Sequence, residues 1–234
     1  MISIITPVLN GEKFIRENIN SIMQFDVPFE HIIVDGGSTD ATLEIVKEFP
    51  HLILVNQNSK TGLYGAIDQG FKLAKYDYIY WLNCDDVVIP KTFVKVLKNA
   101  YLENIDFVYG NSDFNWVNEN KITFQKANPF AKYFLKKGIM PFVQPSSFYK
   151  KELLDRVQIN FEKYKIIGDL DFFIQIASLD DVKFWYCREK LSVFLKYGGS
   201  LGDLNHDVYL KERCLLSAKE SWLSKILFKL TLKF

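Results

Sequence analysis

Short apolar runs alternate with segments of helical spacing through the first half of the chain. The runs have the β-branched and aromatic content of buried strands, and they lie at residues 2–8, 31–34, 52–55, 76–82 and 105–109. Apolar periodicity and start signals predict helices between them, at residues 11–23, 39–49, 63–74 and 90–101. Regular alternation with short links predicts an α/β fold with a largely parallel sheet and helices on both faces.

The second half of the chain has a less regular pattern. It predicts a hairpin, a short helix, a loop entering a strand, a helix and a strand, in that order, at residues 113–125, 130–137, 141–149, 170–177 and 182–186. Gly198 and Gly199 mark a turn. Because no linker or repeat interrupts the chain, we predict one domain over residues 1–218, divided near residue 110, and a further helix at residues 219–234.

Composition excludes several classes of protein. A hydrophobic fraction of 48% over 234 residues argues against disorder, and a net charge of +1 gives no electrostatic case for a nucleic-acid partner. The three cysteines are widely spaced, with no metal-ligand or disulfide pattern, which suits a reducing compartment. The N-terminus lacks the features of a signal peptide, and no apolar run approaches the roughly 20 residues that span a bilayer. We therefore expect a cytoplasmic protein.

Two adjacent carboxylates, Asp85 and Asp86, come at the end of the fourth predicted strand. Open α/β sheets bind ligands at this edge. Neighbouring carboxylates repel each other and need a cation or solvent, and a divalent metal carrying a diphosphate is one such partner. The alternative is a strand that simply ends in an acidic turn.

Two further loops are predicted at the same edge. Asp35 ends the second strand, before two glycines that let the backbone turn sharply, and its carboxylate can accept hydrogen bonds from a base or ribose. A plain strand-turn-helix with a capping residue is the alternative. The first strand ends in a proline loop that contains Asn10. Together the loops outline a nucleotide pocket, and the chain has neither a P-loop nor a G-x-G-x-x-G motif.

Residues 2–7, 34–40 and 82–86, in this order and spacing, resemble the motifs of family 2 glycosyltransferases of the GT-A fold. The resemblance covers roughly residues 1–200 and is nearest to bacterial enzymes of surface polysaccharide synthesis. Residues 60–70 resemble the segment between the second and third motifs of that group. The resemblance implies a nucleotide-sugar half at residues 1–110 and an acceptor half at residues 111–218.

The resemblance also implies roles for individual residues in the donor site. Thr6, Pro7 and Asp35 would hold the nucleobase and ribose, and Asn10 and Gly62 belong to the same site. Asp85 would lie near the ribose and the metal. Asp86 would be the main ligand of a Mg²⁺ or Mn²⁺ ion that bridges the diphosphate and neutralises the leaving group.

Inversion in one step needs a general base near the acceptor hydroxyl. Asp169, at a predicted helix start, aligns with the catalytic Asp of the family, and Asp171 is the second choice; both could instead be ordinary helix-start acids. Gly168 stands where relatives usually carry another acid, and Val143 stands where many carry His. His206, interpreted as a loop residue, is a weak candidate for a diphosphate contact.

Residues 219–234 form a predicted basic amphipathic helix, with three lysines on one face and a broad apolar arc. Such a helix could hold the protein at the inner, anionic face of the cell membrane, or it could pack on the protein itself or on another subunit. The resulting interpretation is an inverting, metal-dependent transferase. It would move a sugar, most often from a UDP-linked donor in such relatives, to a growing glycan or a lipid-linked acceptor.

Two alternatives to this interpretation stay open. A degenerate GT-A module would bind a nucleotide-sugar without turnover, and the four aspartates speak against it. A sugar nucleotidyltransferase shares the general fold but usually carries a basic glycine-rich loop after the first strand, which residues 6–12 lack.

Overall fold

The computed structural model describes residues 1–58, 62–160, 162–199 and 205–217. The predicted helix at residues 219–234 lies outside the described residues. Within them, no helix is both long enough and apolar enough to cross a bilayer.

Four parallel strands form the first part of a single sheet. They are β1 (Ile2–Val8), β2 (Phe29–Asp35), β3 (Ile53–Asn56) and β4 (Tyr78–Trp81), in the order β3-β2-β1-β4. Val8 pairs with Asp35, and Ile5 pairs with Trp81, so the chain leaves all of these strands at one edge. The predicted strands and their parallel arrangement are confirmed.

The helices α1 (Ile15–Ile22), α2 (Thr42–Lys47), α3 (Gly62–Leu73) and α4 (Pro90–Leu102) follow these strands. The first two begin later than the sequence predicts. Residues 11–14 and 39–41 instead form loops whose backbone groups bond to side chains, as when the Gly11 amide donates to Thr42 Oγ1 at 2.8 Å. Short polar side chains that bond the backbone compete with helix formation, which explains the shorter helices.

The second half continues the sheet with mixed strand directions. Its strands are β5 (Val87–Val88), β6 (Phe107–Trp116), β7 (Lys121–Gln125), β8 (Ser147–Lys150) and β9 (Phe184–Lys196). The order runs on as β4-β8-β6-β9-β5, with β7 paired to β6. The predicted hairpin is confirmed as the end of β6 with β7. Both β6 and β9 are longer than predicted, and they pair with each other from Phe107 with Phe184 to Trp116 with Lys196.

Three helices complete the described fold: α5 (Ala131–Lys136), α6 (Gly168–Ser178) and α7 (His206–Ser217). His206, expected in a loop, is therefore the first residue of α7. A core of aromatic rings lies between the sheet and the helices, with Phe107 stacked on Tyr149 at 5.7 Å and Phe71 against Phe172 at 5.8 Å. Because Phe71 belongs to α3 and Phe172 to α6, this core fixes α6 against the first half of the chain.

Candidate active site

The loops after β1 and β2 are bonded tightly to each other. The Asn10 amide donates to Ser38 Oγ and the Thr39 amide donates to Asn10 Oδ1, both at 2.9 Å. Asn10 itself has φ +53°, a conformation that asparagine tolerates better than most residues. The predicted proximity of the two loops is seen, and the Asn10 side chain is used to hold them together.

Asp35 is only 2% exposed, and its carboxylate is satisfied within its own loop. The Gly37 amide donates to Oδ2 at 2.9 Å, and the Ser38 amide donates to both oxygens at 3.1 and 3.2 Å. This turn requires Gly37, whose φ of +97° lies in the region that favours glycine. The carboxylate predicted to face a nucleobase thus also shapes the loop.

Thr6 and Pro7 are both buried. Thr6 Oγ1 lies 2.9 Å from His31 Nε2. Burial, with nearby His51 acting in the same direction, lowers the pKa of His31 to about 3, so the ring stays neutral. The inward position of Thr6 was not predicted, because β1 is buried along its whole length and no alternation marks which polar side chain faces the interior.

The loop after β4 is fixed by side chains from other elements. Asn18 of α1 donates from Nδ2 to the carbonyls of Asn83 and Asp86, each at 2.9 Å. Gln144 donates from Nε2 to the Trp81 carbonyl at 2.8 Å. Asn18 and Gln144 were not predicted, because hydrogen bonds between residues so far apart in the chain leave no local pattern.

Asp86 is 1% exposed, and neither of its carboxylate oxygens has a hydrogen-bond partner. Burial, reinforced by the charge of Asp85, raises the pKa of Asp86 well above its usual range. The backbone of Leu195, the side chain of Asn83 and the charge of Lys196 lie near enough to oppose this shift in part, although none of them makes a hydrogen bond to the carboxylate. Burying an ionised carboxylate without a partner costs free energy. The Asp86 carboxylate is therefore suited to a positively charged partner.

Asp85 lies beside Asp86 but is partly exposed. Its Oδ2 accepts a hydrogen bond from the Tyr197 hydroxyl at 3.0 Å, and the Tyr197 ring packs 4.8 Å from Phe14. Burial raises the pKa of Asp85, although the bond from Tyr197 opposes the shift. Of the two predicted metal ligands, Asp85 is therefore the one at the surface and Asp86, expected to be the main ligand, lies beneath it.

Two adjacent carboxylates, one of them unpartnered, fit the oxygen ligands that Mg²⁺ and Mn²⁺ prefer. No group of three or more His, Cys, Asp or Glu residues suited to a metal occurs in the part of the chain that the structure describes. The remaining ligands of such an ion would come from a diphosphate and water, as is common for Mg²⁺.

Gly62, at the start of α3, is exposed and has φ +70°.

Asp169 is the second residue of α6 and faces Tyr64 from α3. Its Oδ1 accepts from the Leu170 amide at 2.8 Å and lies 3.5 Å from the Tyr64 hydroxyl. Burial raises the pKa of Asp169 to about 6, although the Leu170 amide and the charge of Arg213 oppose the shift. A helix N-terminus favours the charged form of a carboxylate, and burial outweighs that effect here.

The structure explains the glycine before this aspartate. A Cβ on Gly168 would lie 2.7 Å from the ring of Tyr64, closer than real contacts allow. Tyr64 takes the space that an acidic side chain would need, and its hydroxyl donates to the Ile166 carbonyl at 2.6 Å. The sequence showed Gly168 as a departure from the family pattern. It did not indicate the contact with Tyr64, which lies 104 residues earlier in the chain.

Asp171, the second choice of base, has a structural role. Its Oδ2 accepts from Asn160 Nδ2 at 2.6 Å and from Gln175 Nε2 at 2.9 Å. Those bonds tie the first turn of α6 to the segment before it. Val143 precedes the short 3-10 turn that carries Gln144, whose Oε1 lies 3.4 Å from Asn83 Nδ2.

Comparison with known proteins identifies the family. The sequence profile described as Glycosyl transferase family 2 matches residues 3–158, which is more than half of the chain. The chain belongs to glycosyltransferase family 2. It is an enzyme of the GT-A fold, as the resemblance implied.

Curated relatives are named as glycosyltransferases as well. Glycosyltransferase GlyA of Streptococcus pneumoniae is 30% identical over 97% of this chain, which spans 30% of that protein. A PGL/p-HBAD biosynthesis glycosyltransferase of Mycobacterium tuberculosis is 26% identical over 90% of this chain and 83% of its own length.

Solved structures share the fold at lower identity. Staphylococcus aureus TarS in complex with UDP matches with a TM-score of 0.67 and 21% identity, over 92% of this chain and 64% of that one. A mannosyltransferase from Pyrobaculum calidifontis, solved with GDP-Man and Mn²⁺, matches with a TM-score of 0.65 and 16% identity, over 94% of this chain and 64% of that one. The chain thus spans just under two thirds of both structures.

Proposed function

We propose that this glycosyltransferase inverts the anomeric centre of a UDP-sugar and transfers the sugar to a growing glycan or a lipid-linked acceptor in surface polysaccharide synthesis. The relatives that act in surface glycan or glycolipid synthesis support this proposal, as does the TarS structure that contains UDP. The observation that carries it is the unpartnered, buried carboxylate of Asp86 beside the partly exposed Asp85.

The donor would lie in the crevice at the carboxyl ends of β1, β2 and β4. Asp35 would face the base, within a site that also includes Thr6, Pro7, Asn10 and Gly62. Because Thr6 and Pro7 are both buried, their contribution would be to support the floor of the crevice. The closed hydrogen bonding of the first two loops supports a pocket that is formed before the nucleotide arrives.

Asp85 and Asp86 would hold Mg²⁺ or Mn²⁺. When bound, the cation would neutralise the charge that builds on the departing nucleoside diphosphate. Tyr197 would orient Asp85 through the hydrogen bond from its hydroxyl. Asn18 would keep the whole loop in place by holding two of its carbonyls.

Asp169 would act as the general base. Its carboxylate takes the proton of the acceptor hydroxyl while that oxygen attacks the anomeric carbon, on the face opposite the bond that breaks to the diphosphate. A pKa of about 6 leaves most of the carboxylate ionised at neutral pH and makes it a stronger base than an exposed aspartate. Tyr64 would fix its orientation from the donor half of the chain.

We further propose that residues 1–218 form one catalytic domain, with the donor half at 1–110 and the acceptor half at 111–218. Residues 219–234 would contact an anionic membrane surface, which would bring the enzyme to a lipid-linked acceptor at the inner face of the cell membrane. Binding to vesicles with and without anionic lipid, compared between the full chain and a chain ending at residue 218, tests the second part.

The catalytic proposal is tested by incubating the purified protein with a panel of UDP-sugars and Mn²⁺ and measuring release of UDP. We expect slow, metal-dependent hydrolysis of one donor even without an acceptor. Binding of a UDP-sugar with no turnover under any condition would favour the degenerate module. Release of UDP from no donor, together with no binding, would contradict the proposed donor class.

A further inference from the structure

Glu212 of α7 is a charged residue that the catalytic scheme does not use, although it is only 6% exposed. Its carboxylate accepts hydrogen bonds from three consecutive backbone amides. Oε1 accepts from the Lys165 amide at 2.7 Å, and Oε2 accepts from Ile166 at 3.0 Å and Ile167 at 3.1 Å. A cluster of amides that all point at one carboxylate is a built anion site, and here the protein supplies the anion itself.

The three amides belong to the segment that leads directly into α6. Ile167 immediately precedes the first residue of that helix, and Asp169 is its second residue. The carbonyl of Ile166 accepts the hydroxyl of Tyr64, which also lies 3.5 Å from Asp169 Oδ1. Glu212 and Tyr64 therefore hold the same short segment, one through its amides and the other through a carbonyl.

We propose that Glu212 is a positioning residue for transfer, because it fixes the 165–167 segment so that Asp169 meets the acceptor hydroxyl. The proposal rests on the proposed role of Asp169 as the general base. Glu212 touches neither donor nor acceptor in this account. It acts through the backbone that precedes the base.

The chemistry of the site requires a carboxylate of this length. A carboxylate only accepts hydrogen bonds, so both of its oxygens can face amides. In Glu212→Gln one of the two positions becomes an NH₂ group, which would point a donor at another donor. In Glu212→Asp both oxygens remain, but the side chain is shorter by about 1.5 Å, one carbon–carbon bond.

Arg213, the next residue of α7, makes a second buried contact within the acceptor half. Its Nη1 donates to the Gly138 carbonyl just after α5. Its charge also acts on Asp169. The start of α6 and the end of α5 are thus both held by neighbouring residues of α7, which supports a role for this helix in shaping the acceptor side.

The experiment compares Glu212→Gln, Glu212→Asp and a control, Leu216→Ala, in the full-length protein. Leu216 is a buried core residue of α7 and has no contact with the 165–167 amides among the hydrogen bonds described. For each variant we would measure kcat, KM for the acceptor, the Kd for UDP with Mn²⁺, and the melting temperature. Rates are taken well below the lowest melting temperature.

Glu212→Gln should lower kcat by about 10- to 100-fold, since misplacing a reacting group by about 1 Å can cost that much. The Kd for UDP should stay within about twofold, because the donor site does not include this segment. Glu212→Asp should recover part of kcat. Leu216→Ala should keep kcat within about threefold despite a comparable loss of melting temperature, because a cavity destabilises without moving the base.

Asp169→Asn, measured beside these variants, separates the two proposals. If Glu212→Gln keeps full kcat while Asp169→Asn is inactive, the positioning role is wrong and the base stands. If Asp169→Asn keeps full transfer, the base is wrong and the positioning role falls with it. If Leu216→Ala loses as much kcat as Glu212→Gln, docking of α7 and not the carboxylate is responsible, which also overturns the inference.

Discussion

Two aspartate loops lie at the same edge of the sheet and are built in opposite ways. After β2, the carboxylate of Asp35 is enclosed by amides of its own turn, and the loop is bonded to its neighbour through Asn10. After β4, the backbone is held just as firmly by Asn18, but the carboxylate of Asp86 has no partner. The first loop is complete without a ligand. The second has a fixed backbone and an unsatisfied charge.

The difference shows which of the two loops lowers the stability of the fold. A buried carboxylate bonded to amides stabilises its loop, whereas an ionised one without a partner costs free energy that a bound cation would return. The Asp35 loop is therefore a structural element that can also meet a ligand. The Asp86 loop keeps a buried carboxylate with no partner, and real proteins break local rules mainly at functional sites.

The largest effect is expected at the third aspartate, which lies outside both loops. Asp169→Asn should lower the rate of transfer by about 10²- to 10⁴-fold, because the amide cannot accept the proton of the acceptor hydroxyl. The Kd for UDP should remain within about twofold. Single-turnover transfer and calorimetry on the same preparation measure both quantities. A variant that transfers at the wild-type rate would show that the base is elsewhere.

The two loops should then differ in their response to metal. Asp86→Asn should weaken UDP binding in the presence of Mn²⁺ by at least about tenfold, because the site loses one of its two carboxylates. Binding without metal should be unchanged. Asp35→Asn serves as the matched variant, and its UDP binding should keep the wild-type dependence on Mn²⁺. Equal loss of metal dependence in both variants would erase the distinction between the loops.

Transfer should also depend on pH through Asp169. Burial raises the pKa of Asp169 to about 6, and only the ionised form is a base, so kcat should fall about tenfold per unit as pH drops below about 6. The charged or titratable groups facing it from other elements are Tyr64 and Arg213. The kcat profile at saturating donor and acceptor measures this limb, and a rate that stays flat down to pH 4.5 would be inconsistent with this base.

Without metal, removing each carboxylate should affect the free energy of unfolding differently in the two loops. Asp35→Ala should lower the free energy of unfolding by about 1–3 kcal/mol, since it removes bonds between amides and a carboxylate. Asp86→Ala should leave it within about 1 kcal/mol or raise it. The raised pKa of Asp86 means that the wild-type fold loses stability as pH rises above about 4, and Asp86→Ala should lack that part of the slope. Urea titrations across pH measure both effects, and equal losses would contradict the comparison.

The smallest effect is expected at Asp171. Its carboxylate bonds to Asn160 and Gln175, and the oxygen of an asparagine can accept the same bonds. Asp171→Asn should therefore change kcat by less than about threefold, which is the size of change expected away from reacting atoms. Steady-state transfer assays measure it. A loss as large as that of Asp169→Asn would reverse the assignment of the base.

Strand tips were predictable from the sequence, and the state of the groups at those tips was not. Apolar runs that end at Asp35 and at Asp85 place both at one edge once the strands are parallel. Asp35 finds its amides in its own turn, whereas the backbone that carries Asp86 is held by tertiary contacts such as those of Asn18. The pairing of Tyr64 with Gly168 and of Glu212 with the 165–167 amides likewise joins distant parts of the chain. The extension of β9 to Lys196 was not predicted, because it depends on pairing with β6, a strand far away in the chain.

The central claim is that the Asp85–Asp86 pair completes its hydrogen bonding and charge with a cation and a nucleoside diphosphate. Calorimetric titration of UDP into the purified protein, with and without Mn²⁺, tests it most directly. UDP should bind tightly only with Mn²⁺, and Asp86→Asn should remove this difference. Equal UDP affinity with and without the metal, or no binding by a folded protein under either condition, would contradict it.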